Sequence, residues 1–265
     1  MIIDCHVHLS TYTNEGLSFA RIRDRLLAEM AESGIGYSCI MPDSESGPAV
    51  SDLETSLELS GEEPRLFSLG TAHVPALEPS HVEKLETLAS AGKIVGIKLY
   101  PGFEEFYPAD PECRPLYEIC LRHDIPVVFH SGETLLQIWR EDYNHPREIA
   151  RVAERLPELK IVIAHFSQPH LEVCRDVILA FPHVHADISS LAHPSVRQVC
   201  GQENIRQILE EVTSRQPEKL LFGTDWPICD VGEHVKLVNS LRISEETRNL
   251  IFSGNAARVF RLELG

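Results

Sequence analysis

Eight short runs of apolar, largely β-branched residues recur along the chain, at Ile2–Cys5, Tyr37–Met41, Leu66–Thr71, Ile94–Leu99, Pro126–Phe129, Lys160–Ala164, Val184–Ile188 and Leu220–Gly223. Runs this short, bounded by polar or turn-forming residues, predict buried strands. Between them the apolar positions take helical spacing, at Phe19–Ser33, Asp52–Leu59, His81–Ala91, Pro115–His123, Pro146–Arg155, Leu171–Phe181, Ser195–Arg215 and Val231–Leu241. In the first of these, Arg21, Ile22, Arg25, Leu26, Glu29 and Met30 alternate polar and apolar at the period of a helix. No linker, charge block or low-complexity tract interrupts the series. Unbroken strand–helix repeats predict an α/β chain folded as a closed (β/α)8 barrel, the TIM barrel, with residues 1–265 as a single domain. An open doubly wound sheet is the alternative, but no GxGxxG follows the first strand. The tail, Ser244–Leu264, predicts an extra C-terminal helix, with one helix ending and another starting around Ser253–Arg258.

Composition narrows the partners. The 265 residues suit one α/β barrel, and the net charge of −16 argues against nucleic acid or an anionic membrane as the main partner. A small-molecule substrate is compatible with that charge, because a local cationic pocket can sit inside an anionic protein; the sequence is also compatible with a homodimer. The stretch Met1-Ile2-Ile3-Asp4 has no basic n-region, and no run approaches the ~18 apolar residues of a membrane span. Seven cysteines without a CxxC pair read as reduced thiols, several of them core fillers, and cytoplasm is the expected location.

In such a barrel, function gathers where the strands end at the C-terminal face. Strand one ends in His6-Val7-His8, whose two imidazoles share a face while Val7 takes the other. Strand four carries Lys98, strand five ends in His130-Ser131-Gly132-Glu133, strand six in Ala164-His165, and strand eight in Gly223-Thr224-Asp225-Trp226-Pro227. A borderline cation such as zinc takes imidazole nitrogen at ~2.0–2.1 Å and carboxylate oxygen at ~2.0–2.2 Å, so His6, His8, His130 and Asp225 form a candidate mixed N/O site with room for water. Metal-bound water falls from a pKa of 15.7 toward ~7, which supplies a nucleophile, and Asp225 can act as ligand and base. His165 either binds a second metal or polarises the substrate through a hydrogen bond. Lys98 has three readings: a cation for a substrate carboxylate, a carbamylated metal bridge, or a buried partner for Asp225. Glu133 is a candidate acid/base. The plainer readings are hydrogen-bonded rim histidines at 130 and 165 and a turn or helix cap at Asp225. His73 and His185 are weaker rim candidates, and Trp139 and Arg140 are candidates to shape the mouth. The other histidines (81, 123, 145, 170, 183, 193 and 234) are expected at the surface.

The ordered set HVH, GIKLYPG, PVVFHSGE, IVIAHFS, LLFGTDWP and GNAARVF resembles the amidohydrolase superfamily, and more narrowly its amidohydrolase 2 branch of TIM-barrel metal-dependent hydrolases and decarboxylases. The resemblance runs from Ile2 to the Gly254–Phe260 tail. It implies that His6, His8, His130 and Asp225 hold a divalent metal, usually zinc, and that His165 supports substrate and water or ligates a second ion. It implies that Lys98 is a carbamylated bridge in a two-metal site or an unmodified lysine in a one-metal site, and the GIKLYPG context favours the latter. Decarboxylase members tend to be longer and to carry an arginine for the substrate carboxylate, which has no match here. The leading expectation is therefore a hydrolase of an amide, ester or lactone. A non-oxidative decarboxylase or hydratase of a small carboxylic acid is the alternative, and a non-catalytic metal-binding barrel stands as a reading from another class.

Overall fold

The structure, a computed structural model, describes residues 1–44, 49–132 and 141–265. Strands and helices alternate from the start: β1 (Ile2–Val7), α1 (Phe19–Ser33), β2 (Ile35–Ile40), α2 (Leu53–Gly61), β3 (Leu66–Ser68), β4 (Gly70–Thr71), α3 (Pro79–Ser90), β5 (Ile97–Leu99), α4 (Arg114–His123) and β6 (Val127–Phe129). There follow α5 (Glu141–Asn144), α6 (Pro146–Arg155), β7 (Ile161–Ile163), α7 (Leu171–Ala180), β8 (Val184–Asp187), α8 (Pro194–Cys200), α9 (Gln202–Arg215), β9 (Leu220–Leu221), α10 (Val231–Ser240), α11 (Glu245–Asn249) and α12 (Asn255–Val259). The first helix shows why these boundaries fall where they do. The Ser18 hydroxyl accepts the Arg21 N–H, Ile22, Leu26 and Met30 line the buried stripe, and Gly34 ends the helix in the left-handed region.

All strand pairs are parallel, in the orders β1-β2-β3 and β4-β5-β6-β7-β8-β9. The run Leu66–Thr71 is one strand position interrupted at Leu69, whose N–H reaches Ile40 O while the Gly70 N–H reaches Gly96 O. On the other side, Cys5 donates to Phe222 O, Asp225 to His6 O and His8 to Trp226 O, which ties the end of β9 to β1. The ring of strands is thereby closed, and the predicted TIM barrel is what forms. The predicted long helix Ser195–Arg215 is two helices, because Gly201 at φ 77° turns the chain between α8 and α9.

Side-chain alternation sorts the residues. Ile97, Leu99, Val127, Phe129, Ile161 and Ile163 pack outward against the helices, whereas Cys39, Leu69, Val128, Val162 and Leu221 cluster with Ile3 and Cys5 inside the ring. Strand β1 loses register with β2 between Asp4 and Val7, an irregularity that lets Cys5 lie in the inner apolar layer and His6 still face the centre above it. The C-terminal helical tail, with a π turn over Leu250–Gly254, closes the lower end by adding Ala256, Val259 and Phe260 to the same cluster. The thiols of Cys5, Cys39, Cys113, Cys120, Cys174 and Cys229 are buried, and among the described residues no helix is long and apolar enough to cross a membrane.

One buried cation serves this framework. Lys219 is fully buried and its Nζ donates to Phe181 O at 2.7 Å, Pro182 O at 2.8 Å and Val184 O at 3.0 Å, pinning the end of α7 to the start of β8. Lys219→Met leaves three carbonyls without their donor, so it is expected to cost about 3 kcal/mol, read as a lowered urea midpoint.

Candidate metal centre

Four histidines and two carboxylates meet at the C-terminal end of the barrel. His6 Nδ1–H donates to Asp187 Oδ2 at 2.9 Å, and His8 Nδ1–H donates to Met41 O at 2.9 Å. Each ring therefore has its one proton committed, and the two Nε2 lone pairs face one another across 3.3 Å. Asp225 Oδ1 lies 3.8 Å from His6 Nε2 and 3.6 Å from His8 Nε2. Two converging lone pairs beside a carboxylate oxygen repel unless a cation lies among them, and these ligand atoms fall within 4.8 Å of each other. The donor set is nitrogen and oxygen, which suits a divalent metal of the zinc or manganese kind.

His130, at the end of β6, lies over this group with its ring 5.1 Å from that of His165 and 4.7 Å from that of Phe103. Among the described residues its buried Nε2 has no hydrogen-bond partner, the state expected of a nitrogen reserved for a ligand. His165 follows β7 with its ring 4.7 Å from that of His6. It occupies the left-handed region at φ 57°, as do Phe166, Ser167 and Asp225. Non-glycine residues held there are strained, and such strain concentrates at sites whose geometry the surrounding fold over-determines. Gly132 makes room for this turn: a Cβ there would stand 2.1 Å from Gln168 O.

Lys98 is fully buried beside His6, with Nζ 3.5 Å from His6 Nε2 and 5.1 Å from the centre of the Tyr100 ring. Burial pulls its ammonium down to about 8 against the attraction of Asp187 and Asp225. Asp225 is pushed up to about 7 by burial, opposed by the Ser190 hydroxyl that it accepts at 2.8 Å and by Lys98. Glu133, Trp139 and Arg140 lie outside the described residues.

Sequence reasoning passed over Asp187, Ser189 and Ser190. Asp187 is the last inward residue of β8; His185, two residues earlier on the same face, lies deeper and bonds Glu218 O instead of reaching the rim. Phase along that strand was the available signal. His234, expected at the surface, is fully buried and takes the Ala192 N–H. His73 and His193 line the cavity above the centre, which measures about 670 Å³ and is walled by Tyr12, Asp43, Tyr100, Phe103 and Glu104.

Burial holds His6, His8, His130, His165, His185 and His234 below the ordinary imidazole range, His8 and His185 to about 3 and His234 to about 4. The unfolded chain binds protons on these residues below about pH 6.5 while the folded chain does not. Their contribution to stability is thus present above pH 6.5 and lost as the pH falls toward the folded values. The metal-free protein is expected to lose several kcal/mol between pH 6.5 and 5, at up to ~1.4 kcal/mol per unit for each histidine. Urea midpoints across that range measure it, and a flat profile would contradict it.

The fold is a TIM barrel with a candidate metal site at the C-terminal end of its strands. The amidohydrolase family profile matches residues 3–262, and the chain belongs to that family. A curated relative, gamma-resorcylate decarboxylase of Rhodococcus jostii (strain RHA1), is 24% identical over 233 residues, covering 73% of this chain and 70% of the relative. Among solved structures, an uncharacterized TIM-barrel protein of Bordetella bronchiseptica superposes with a TM-score of 0.78 at 21% identity, covering 98% of each chain. A 4-oxalomesaconate hydratase of Rhodopseudomonas palustris gives 0.71 at 19% identity, over 98% of this chain and 96% of that one. A dihydroxybenzoic acid decarboxylase of Polaromonas sp. JS666, solved with manganese and the inhibitor 2-nitroresorcinol, gives 0.66 at 17% identity, over 100% and 98%.

Proposed function

We propose that this chain is a divalent-metal-dependent enzyme of small carboxylic acids and their derivatives, with hydrolysis of an ester, amide or lactone as its first reading. The observation that carries it is the pair of facing Nε2 lone pairs of His6 and His8, 3.3 Å apart with both Nδ1 protons spent elsewhere. His6, His8 and Asp225 would hold the ion, with His130 Nε2 as the further nitrogen. When bound, the cation supplies Lewis acidity toward an oxygen of the substrate or a water.

The protein's own groups supply the rest. Asp225, at the edge of the ion's place with Oδ1 toward His6 and His8, is the carboxylate positioned to take and return a proton. Ser190 holds Oδ2 of that carboxylate, which leaves Oδ1 turned toward His6 and His8. Lys98 offsets the negative charge of Asp187 and Asp225. Tyr100 and Phe103, adjoining His130, offer aromatic surface on which a planar substrate can stack.

Decarboxylation is the second reading, favoured by the 24%-identical gamma-resorcylate decarboxylase. In that case Asp225 delivers the proton that replaces carbon dioxide. Both readings are tested on protein reconstituted with Mn2+ or Zn2+, against a panel of lactones, esters and amides of small acids beside hydroxybenzoic acids. Acid release that a chelator abolishes is expected; carbon dioxide release from the hydroxybenzoates selects the second reading, and inertness of the metal-loaded protein toward the whole panel overturns both.

A further inference from the structure

The protons around His165 can be assigned one by one. Asp187 Oδ1 accepts the N–H of His165 at 2.9 Å and the N–H of Ser189 at 3.0 Å, and it also takes the Ser189 hydroxyl proton. A hydroxyl has one proton. With that proton given to Asp187, Ser189 Oγ has only lone pairs left for its other neighbours, His165 Nδ1 at 2.8 Å and His6 Nδ1 at 3.2 Å. Ser190 Oγ repeats the pattern: its proton goes to Asp225 Oδ2 at 2.8 Å, and it meets His165 Nδ1 at 3.3 Å with a lone pair. His165 Nδ1 thus faces two oxygen acceptors, so it must be the donor.

We propose that Ser189, carried by Asp187 and assisted by Ser190, is a positioning residue that locks His165 as the Nδ1–H tautomer and leaves Nε2 as a lone pair. His6 is held in the same tautomer by the same carboxylate, so one Asp187–Ser189 unit sets the orientation of two rings at once. The ring environment keeps His165 uncharged, since it packs between His6 and His130 and burial disfavours its protonation. A neutral imidazole so locked cannot donate from Nε2. It accepts a proton or binds an ion, and the role of polarising a substrate oxygen by hydrogen-bond donation falls to another group. The orientation is independent of metal; its use as a ligand or base rests on the metal-enzyme reading above.

The test is the 15N spectrum of the metal-free, histidine-labelled protein at pH 8, with His165 assigned by loss of its signals in His165→Asn. A protonated, pyrrole-type Nδ1 and an unprotonated, pyridine-type Nε2 are expected. Ser189→Ala should move those shifts toward the averaged values of a mixed tautomer and weaken binding of Mn2+ alone by about 10-fold, the lower end for an outer partner of a ligand. Ser189→Thr, which keeps the hydroxyl, should restore both and guards against a folding defect. An Nε2–H tautomer in the wild type, or Ser189→Ala with unchanged shifts, overturns the proposal. If the wild type shows the Nδ1–H tautomer yet binds no Mn2+, the metal reading fails and the lock stands.

Discussion

Asp225→Asn is expected to lower turnover by about 10³-fold, within the range that a positioned acid/base supplies, while the barrel still folds. The amide keeps the shape of the carboxylate, and its carbonyl oxygen can still accept the Ser190 hydroxyl that Asp225 Oδ2 now accepts at 2.8 Å. It cannot carry a proton, and it puts no negative charge beside His6 and His8, whose Nε2 atoms lie 3.8 and 3.6 Å from Oδ1. In the metal-free chain burial pushes Asp225 up to about 7, and the amide removes that titration altogether. The check is kcat on the best substrate of the panel, together with the urea midpoint of the same variant. Undiminished kcat would remove Asp225 from the chemistry, whereas a collapsed midpoint would show a structural role instead.

The second large effect is expected from His6→Ala. The substitution deletes one of two facing Nε2 atoms and at the same time strips Asp187 Oδ2 of the N–H that it accepts at 2.9 Å. Divalent-metal affinity should fall more than 100-fold, beyond the about 10–100-fold typical of outer partners, and activity should fall with it. A buried carboxylate oxygen left without its donor adds a destabilisation of about 1–3 kcal/mol. Calorimetric titration with Mn2+ reads the first effect and the urea midpoint the second. Wild-type affinity in His6→Ala would mean that the ion is held elsewhere.

The strand ends were legible because apolar runs and barrel topology bring the last residue of each strand to one rim, and His6, His8, Lys98, His130, His165 and Asp225 were found that way. The facing of His6 and His8 followed from two-residue alternation, although the irregularity between Asp4 and Val7, which allows Cys5 and His6 to lie on the same side, has no signature in the residue types. Asp187 escaped because a histidine two residues earlier, His185, carried the more conspicuous side chain; depth along the strand separates them, and depth depends on where the strand enters the ring. Ser189 and Ser190 escaped for a different reason. Small hydroxyls after a strand are common, and only the three-dimensional placement beside His165, Asp187 and Asp225 gives them a proton to assign. The break between α8 and α9 hinges on the single glycine at 201, which apolar periodicity alone passes over.

The most direct test of the metal centre is anomalous diffraction from crystals soaked in Mn2+ and measured on either side of its absorption edge. A peak is expected bounded by His6 Nε2, His8 Nε2 and Asp225 Oδ1, within ligand reach of all three. A peak confined to the buried group of His6, His165 and Asp187, or no peak at full Mn2+ saturation, would contradict it.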